Sequence, residues 1–221
     1  MVHAVLGLLP VTAHTLQPGY SLSAETTYIN AARHCIEMDQ DLAILSAARF
    51  HERSKLPSWV PDCHEKPPER CIALDPCRGG PYYRAAGSSK PVVGSSHGTS
   101  EIQLQGFILG ILESRCDRRM DSRLEEISDV ALVPRSCSTG HDEPRYGSFP
   151  ESAEVGDWIC ILLSGPVPYV LTPCDSNIAL SATIAAEHPR FFFIGECWVE
   201  GFMSGKAMEL NDIAPIDFIL C

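Results

Sequence analysis

Two prolines four positions apart bracket a tryptophan in Leu56-Pro57-Ser58-Trp59-Val60-Pro61-Asp62. Each proline fixes its own φ, lacks an N–H and restricts the residue before it, so the segment is barred from helix and drawn out as an extended strap. Trp59, held between them, loses little conformational freedom on burial and is the strap's packing anchor.

Ahead of the strap, residues 21–48 read as helix. Ser23 is placed to cap it ahead of Thr26, with acidic Glu25 in the first turn. Tyr28, Ala32, Cys35 and Ile36 recur at helical spacing and form one face, and a second short helix from Asp41 carries Leu42 and Leu45.

After the strap the pattern changes. Residues 64–100 are rich in Pro, Gly and Ser and read mostly as loops, with a short strand over Tyr82-Tyr83-Arg84-Ala85. Residues 101–111 alternate through Ile102, Leu104, Gly106 and Ile108 and read as a strand entering the core. Residues 122–127 suit a helical turn and 134–152 a loop. Gly156 to Leu163 and Tyr169 to Leu171 read as two strands joined by the turn at Ser164-Gly165-Pro166. Residues 190–199 form a further strand, apolar enough to be covered on both faces, and Gly201 and Gly205 frame a turn that follows it. The expected fold class is α+β: N-terminal helices followed by a mostly antiparallel β-sheet or small β-barrel. With 221 residues we expect one domain over 1–221. Within it, residues 1–55 are helical, residues 56–155 hold the strap, loops and first strands, and residues 156–221 make a C-terminal β region.

The composition, 45% hydrophobic and 20% charged, is that of a globular chain. The net charge of −11 argues against nucleic-acid binding. From residue 151 onward ten acidic residues face only Arg190 and Lys206, which would repel a phosphate backbone. No apolar run reaches the ~20 residues needed to span a bilayer, so no membrane association is expected. The apolar start closes early at Pro10 and has no Lys or Arg ahead of it, which argues against a signal peptide.

Ten cysteines leave two readings open: up to five disulfides in an oxidising compartment, or buried thiols in a reducing one. Cys160, inside the apolar run Trp158-Ile159-Cys160-Ile161-Leu162, favours the thiol reading. The absence of an Asn-x-Ser/Thr site after Asn30, Asn177 or Asn211 adds to it, and a cytoplasmic location is expected.

No strong enzyme motif is present. Gly94-Ser95-Ser96-His97-Gly98 matches a nucleophile elbow in letters, but the following segment reads as strand where an elbow requires helix. Cys63, His64, Cys71 and Cys77 are spaced too widely for paired zinc ligands, so no metal and no other cofactor is expected. Four residues are candidates for acid–base chemistry. Glu196 lies inside an apolar strand, where a buried carboxylate would need a partner. Asp157 follows Gly156 and suits either a turn or a catalytic acid. His141 stands in the polar cluster His141-Asp142-Glu143, and Glu200 follows the last apolar strand.

Four segments, in order along almost the whole chain, resemble the region that follows the catalytic-type domain in fungal heterokaryon-incompatibility (HET) proteins. Val5-Leu6-Gly7-Leu8-Leu9 is similar to the family's LLGL stretch. Gln17-Pro18-Gly19-Tyr20-Ser21 with Tyr28 is similar to its helix entry, and residues 56–62 to its LPSWVPDW. The fourth segment joins Gly156-Asp157-Trp158-Ile159-Cys160, Pro168-Tyr169-Val170-Leu171 and residues 194–207, which is similar to the family's last glycine-rich strand and turn. At the polar positions Gly19, Cys63, Thr172, Glu200 and Lys206 stand where that family carries Asp, Trp, Arg, His and Glu, so the resemblance preserves prolines, glycines and apolar positions above all. The HET domain would precede Met1 and is not in this chain. The resemblance therefore implies an accessory or regulatory interaction module whose partners are HET-family relatives. The alternative is a small-molecule enzyme of fungal secondary metabolism, a cyclase, isomerase or dehydratase, working with an apolar pocket and acid–base groups drawn from Glu196, Asp157, His141 and Glu200. A secreted, disulfide-rich effector is a third reading.

Overall fold

The structure, a computed structural model, describes residues 21–48, 55–62, 71–73, 83–94, 100–112, 116–118, 127–129, 132–134, 147–174, 189–209 and 214–221. Helix α1 spans Ala24–Asp39. Its N-cap is Ser23, whose hydroxyl accepts the Thr26 N–H at 3.0 Å, as the sequence led us to expect. Its buried face is Ile29, Ala32 and Ile36, while Tyr28 and Cys35 are only partly covered. The helix ends at Asp39, just ahead of the second short helix expected from Asp41. Gln40 turns left-handed at φ 54° and returns its N–H to the Ile36 carbonyl. The continuation is a 3-10 turn over Ala43–Ala47, begun by Asp41 Oδ1 accepting the Ala43 N–H at 2.9 Å, and it buries Leu42 and Leu45.

The strands are β1 (Val93–Gly94), β2 (Ile102–Leu112), β3 (Cys116–Arg118), β4 (Ile127–Asp129), β5 (Leu132–Pro134), β6 (Gly147–Ser148), β7 (Trp158–Leu162), β8 (Tyr169–Pro173), β9 (Arg190–Glu196), β10 (Trp198–Val199) and β11 (Ile216–Leu220). The main sheet runs β1-β2-β11-β9-β8-β7, and β2 also pairs with β7. The path therefore closes: β2, β11, β9, β8 and β7 form a small five-stranded barrel. Every pairing in the ring is antiparallel except β9 with β11. The α+β reading with a mostly antiparallel sheet holds, and the barrel is its form.

Long β2 makes closure possible by changing partners along its length. Its first half pairs with β11 and its second with β7, meeting at Gly106. A Cβ on Gly106 would lie 2.3 Å from the Ile161 carbonyl oxygen, so the two backbones approach this closely only because the residue is glycine.

Strand alternation sorts the core. All five barrel strands send alternate residues to one cluster: Leu104, Trp158, Cys160, Leu171, Phe191, Phe193, Phe218 and Leu220 among them. Ile36 and Leu45 from the helical segment and Trp59 from the strap complete this cluster. A second cluster on the opposite face takes Ile159, Ile161, Val170 and Ile194, covered by Ala85, Ala86, Phe202 and Ala207. Strand β7 is consequently buried along its whole length, its even residues in one cluster and its odd ones in the other.

The strap is fastened as Trp59 implied, but it is not extended throughout: the Val60 N–H donates to the Pro57 carbonyl at 3.0 Å and closes a turn around Trp59. Trp59 is fully buried, its indole N–H donates to the Ser100 carbonyl at 2.9 Å, and the Arg33 guanidinium stacks over its ring at 5.5 Å. Ser58 N–H donates to the Cys221 carbonyl at 2.8 Å, the Ser58 hydroxyl donates to the same oxygen, and that hydroxyl accepts the Phe193 N–H at 2.8 Å.

Several local expectations are corrected. Of the strand expected over residues 82–85, Tyr82 lies outside the described residues and Tyr83 and Arg84 are in no strand; residues 85–88 form a turn, the Arg84 and Ala85 amides donating to two different loops, at Met203 and Pro166. Within 134–152, read as loop, Gly147–Ser148 forms a strand paired with β10. Strand β9 is not covered on both faces throughout: Arg190 and Phe192, the latter 37% exposed, point outward before the fully buried stretch begins at Phe193. Residue 127, placed in a helical turn by the sequence reading, opens β4, and residues 122–126 lie outside the described residues.

Candidate functional site

Glu196 ends β9 directly opposite Tyr169 of β8, so the two side chains share a face of the sheet. The Glu196 carboxylate reaches to residues 71–73. Oε1 accepts the Ile72 N–H, and Oε2 accepts the Ala73 N–H at 3.3 Å. Two successive backbone amides thus grip one carboxylate, and the segment they belong to is held against the barrel. Beside them the Cys71 thiol donates to the Ser46 carbonyl at 3.3 Å. The Ser46 hydroxyl is buried and has no hydrogen-bond partner among the described residues.

The surroundings of Glu196 are apolar and thiol-rich. Burial pushes the Tyr169 phenol well above its ordinary range, and the charges of Glu196 and Asp41 add to this. Its hydroxyl makes a long 3.5 Å contact with the Leu42 carbonyl. Burial likewise pushes the Cys197 thiol up, with Cys160 and Glu196 contributing. At neutral pH these groups are protonated and unreactive as nucleophiles.

Asp157 belongs to a different place. It is 3% exposed and enters β7 from a turn in which Gly156 takes φ +102°. Its Oδ2 accepts the Glu154 N–H at 2.7 Å, and its Oδ1 accepts the Thr172 hydroxyl at 2.6 Å. Its backbone N–H donates to the Glu154 carbonyl, while its carbonyl accepts the Leu112 N–H and ties the turn to the end of β2. Burial raises the carboxyl above its ordinary value, the two hydrogen bonds oppose this, and the charge of Glu154 reinforces it.

The candidate acids do not converge. Glu196 lies beside Tyr169 and Asp157 beside Thr172, three residues along β8. That offset corresponds to about 10 Å along a strand and to opposite faces of the sheet. Glu200 is exposed in the turn after β10. His141 lies outside the described residues, as do Asp142, Glu143, Cys63, His64, Cys77 and residues 95–98 of the glycine-serine motif. Among the described residues no group of three His, Cys, Asp or Glu side chains is arranged to hold a metal ion, and no helix is long and apolar enough to cross a membrane. None of the described cysteines Cys35, Cys71, Cys160, Cys174, Cys197 and Cys221 is in a disulfide.

The acids are legible in the sequence; their partners are not. Thr172 stands out in the sequence only where the HET proteins it resembles carry arginine, and the Ile72 and Ala73 amides leave no trace in side-chain letters. Gly156 was the usable signal for the Asp157 turn.

Comparison with known proteins finds no matching family model, curated protein or solved structure.

Proposed function

We propose that this chain is a non-catalytic interaction module, an accessory or regulatory partner of HET-domain proteins in a filamentous fungus, working in the cytoplasm. One observation carries the non-catalytic side of the reading: Asp157 and Glu196 both direct their two carboxylate oxygens to donors of the protein's own framework. A general acid or base needs a substrate-facing oxygen within hydrogen-bond reach of the proton it moves. These oxygens join a turn to β8 and a short segment to β9. The choice of partner rests on the resemblance of the strap, of the Gly156–Cys160 stretch and of residues 194–207 to the HET family.

The test is sedimentation velocity on the purified chain mixed with full-length HET-domain proteins. The reading predicts a complex sedimenting faster than either component. Independent sedimentation with every HET-domain protein tried would overturn it.

A further inference from the structure

Cys174 and Cys221 flank the start of β9 from its two sides. Cys174 N–H donates to the Arg190 carbonyl at 3.0 Å, and Cys221 N–H donates to the next carbonyl, that of Phe191, at 2.9 Å. Between these anchored backbones the two side chains converge, and the Cys174 thiol donates to Cys221 Sγ across 3.8 Å. Both residues are partly exposed. Neither takes part in the Glu196 or Asp157 arrangements.

The neighbourhood distinguishes this pair from the thiols of Cys35, Cys160 and Cys197. The hydrogen bond from Cys174 lowers the Cys221 thiol below its ordinary value; burial and Glu101 oppose this, and the Arg190 guanidinium favours it. Arg190 itself is paired with Glu101 at 3.1 Å, so its charge is shared. Cys160 and Cys197 are fully buried and pushed up, and Cys35 is pushed up by burial and by Asp39 and Asp41.

We propose that Cys221 and Cys174 form a peroxide-oxidised dithiol, with Cys221 as the modified residue and Cys174 as the resolving thiol. In the first step the Cys221 thiolate attacks one oxygen of a hydroperoxide. The O–O bond breaks, two electrons pass from sulfur to the peroxide, and the departing oxygen takes a proton and leaves as water or an alcohol. Cys221 becomes a sulfenic acid. In the second step Cys174, giving up its proton, attacks the Cys221 sulfur, the S–O bond breaks and water leaves. For that bond the sulfurs close from 3.8 Å to about 2.05 Å. The product joins the end of β8 to the residue after β11 across β9, beside the Ser58 donors on the Cys221 carbonyl. This inference does not depend on the interaction reading.

The experiment is peptide mapping of the folded full chain after brief exposure to hydrogen peroxide, with free thiols then alkylated and the digest kept unreduced. The expected first product is a peptide pair joined through Cys174 and Cys221, about 2 Da lighter than its two free thiol peptides. In Cys174→Ser, dimedone should label Cys221 instead. The proposal is overturned if another cysteine is oxidised first in the unaltered chain, or if Cys221 in Cys174→Ser stays unlabelled. The unaltered chain decides the matter by itself should the variant not fold.

Discussion

The Thr172 hydroxyl donates a 2.6 Å hydrogen bond to Asp157 Oδ1, joining the turn that enters β7 to the neighbouring strand β8. The other carboxylate oxygen holds the Glu154 N–H, so one buried side chain fixes both the turn and its place on the sheet. Thr172→Val removes the donor and leaves a buried acceptor, and should cost about 1–2 kcal/mol in urea unfolding. Asp157→Ala strands both donors and should cost more. The double variant should show non-additivity, since the two residues share one bond.

The same carboxylate predicts a pH dependence. Its folded-state pKa is raised, chiefly by burial, whereas in the unfolded chain it titrates near the ordinary value of about 3.9. As pH rises through the window from that value to the raised one, the unfolded chain loses its proton first. The folded state then binds more protons, and stability falls with rising pH. Urea unfolding of the unaltered chain and of Asp157→Asn across this window should show the fall only where Asp157 is present. Parallel curves would contradict the assignment.

Ser58 links three elements at once. Ser58→Ala deprives the buried Phe193 N–H of its acceptor and removes a donor from the Cys221 carbonyl. A loss of about 1–3 kcal/mol is expected in the same assay. Trp59→Ala should be worse, about 3–5 kcal/mol, because it opens a cavity in the larger core cluster and also removes the indole bond to Ser100 and the face that Arg33 covers.

Glu196→Ala releases the Ile72 and Ala73 amides. Amide hydrogen exchange at these two positions should speed up while exchange in β7 and β8 stays slow, because the contact fastens a peripheral segment and not the ring. Faster exchange throughout the barrel would show that Glu196 has a wider structural role.

Periodicity made the local elements readable. Ser23 marked the start of α1, the two prolines marked the strap, and alternation or apolar runs marked β2, β7 and β8. Strand β11 escaped notice. Its letters, Ile-Asp-Phe-Ile-Leu after Pro215, are strand-like, but its insertion between β2 and β9, parallel to β9, is a long-range pairing that no local pattern encodes. The turn at residues 85–88 differs from expectation for a related reason: the aromatic letter at Tyr83 indicates strand, while hydrogen bonds of Arg84 and Ala85 to distant loops decide otherwise. Of the candidate site, Asp157 and Glu196 were legible as residues. Their separation onto opposite faces of the sheet was not, because it depends on which residue of β8 each one adjoins.

The central claim, that the chain works by binding HET-domain proteins and not by catalysis, is tested most directly by isothermal titration of a full-length HET-domain protein into the unaltered chain and into Glu196→Gln. The account predicts saturable binding by both, with the same stoichiometry. It is contradicted if neither binds.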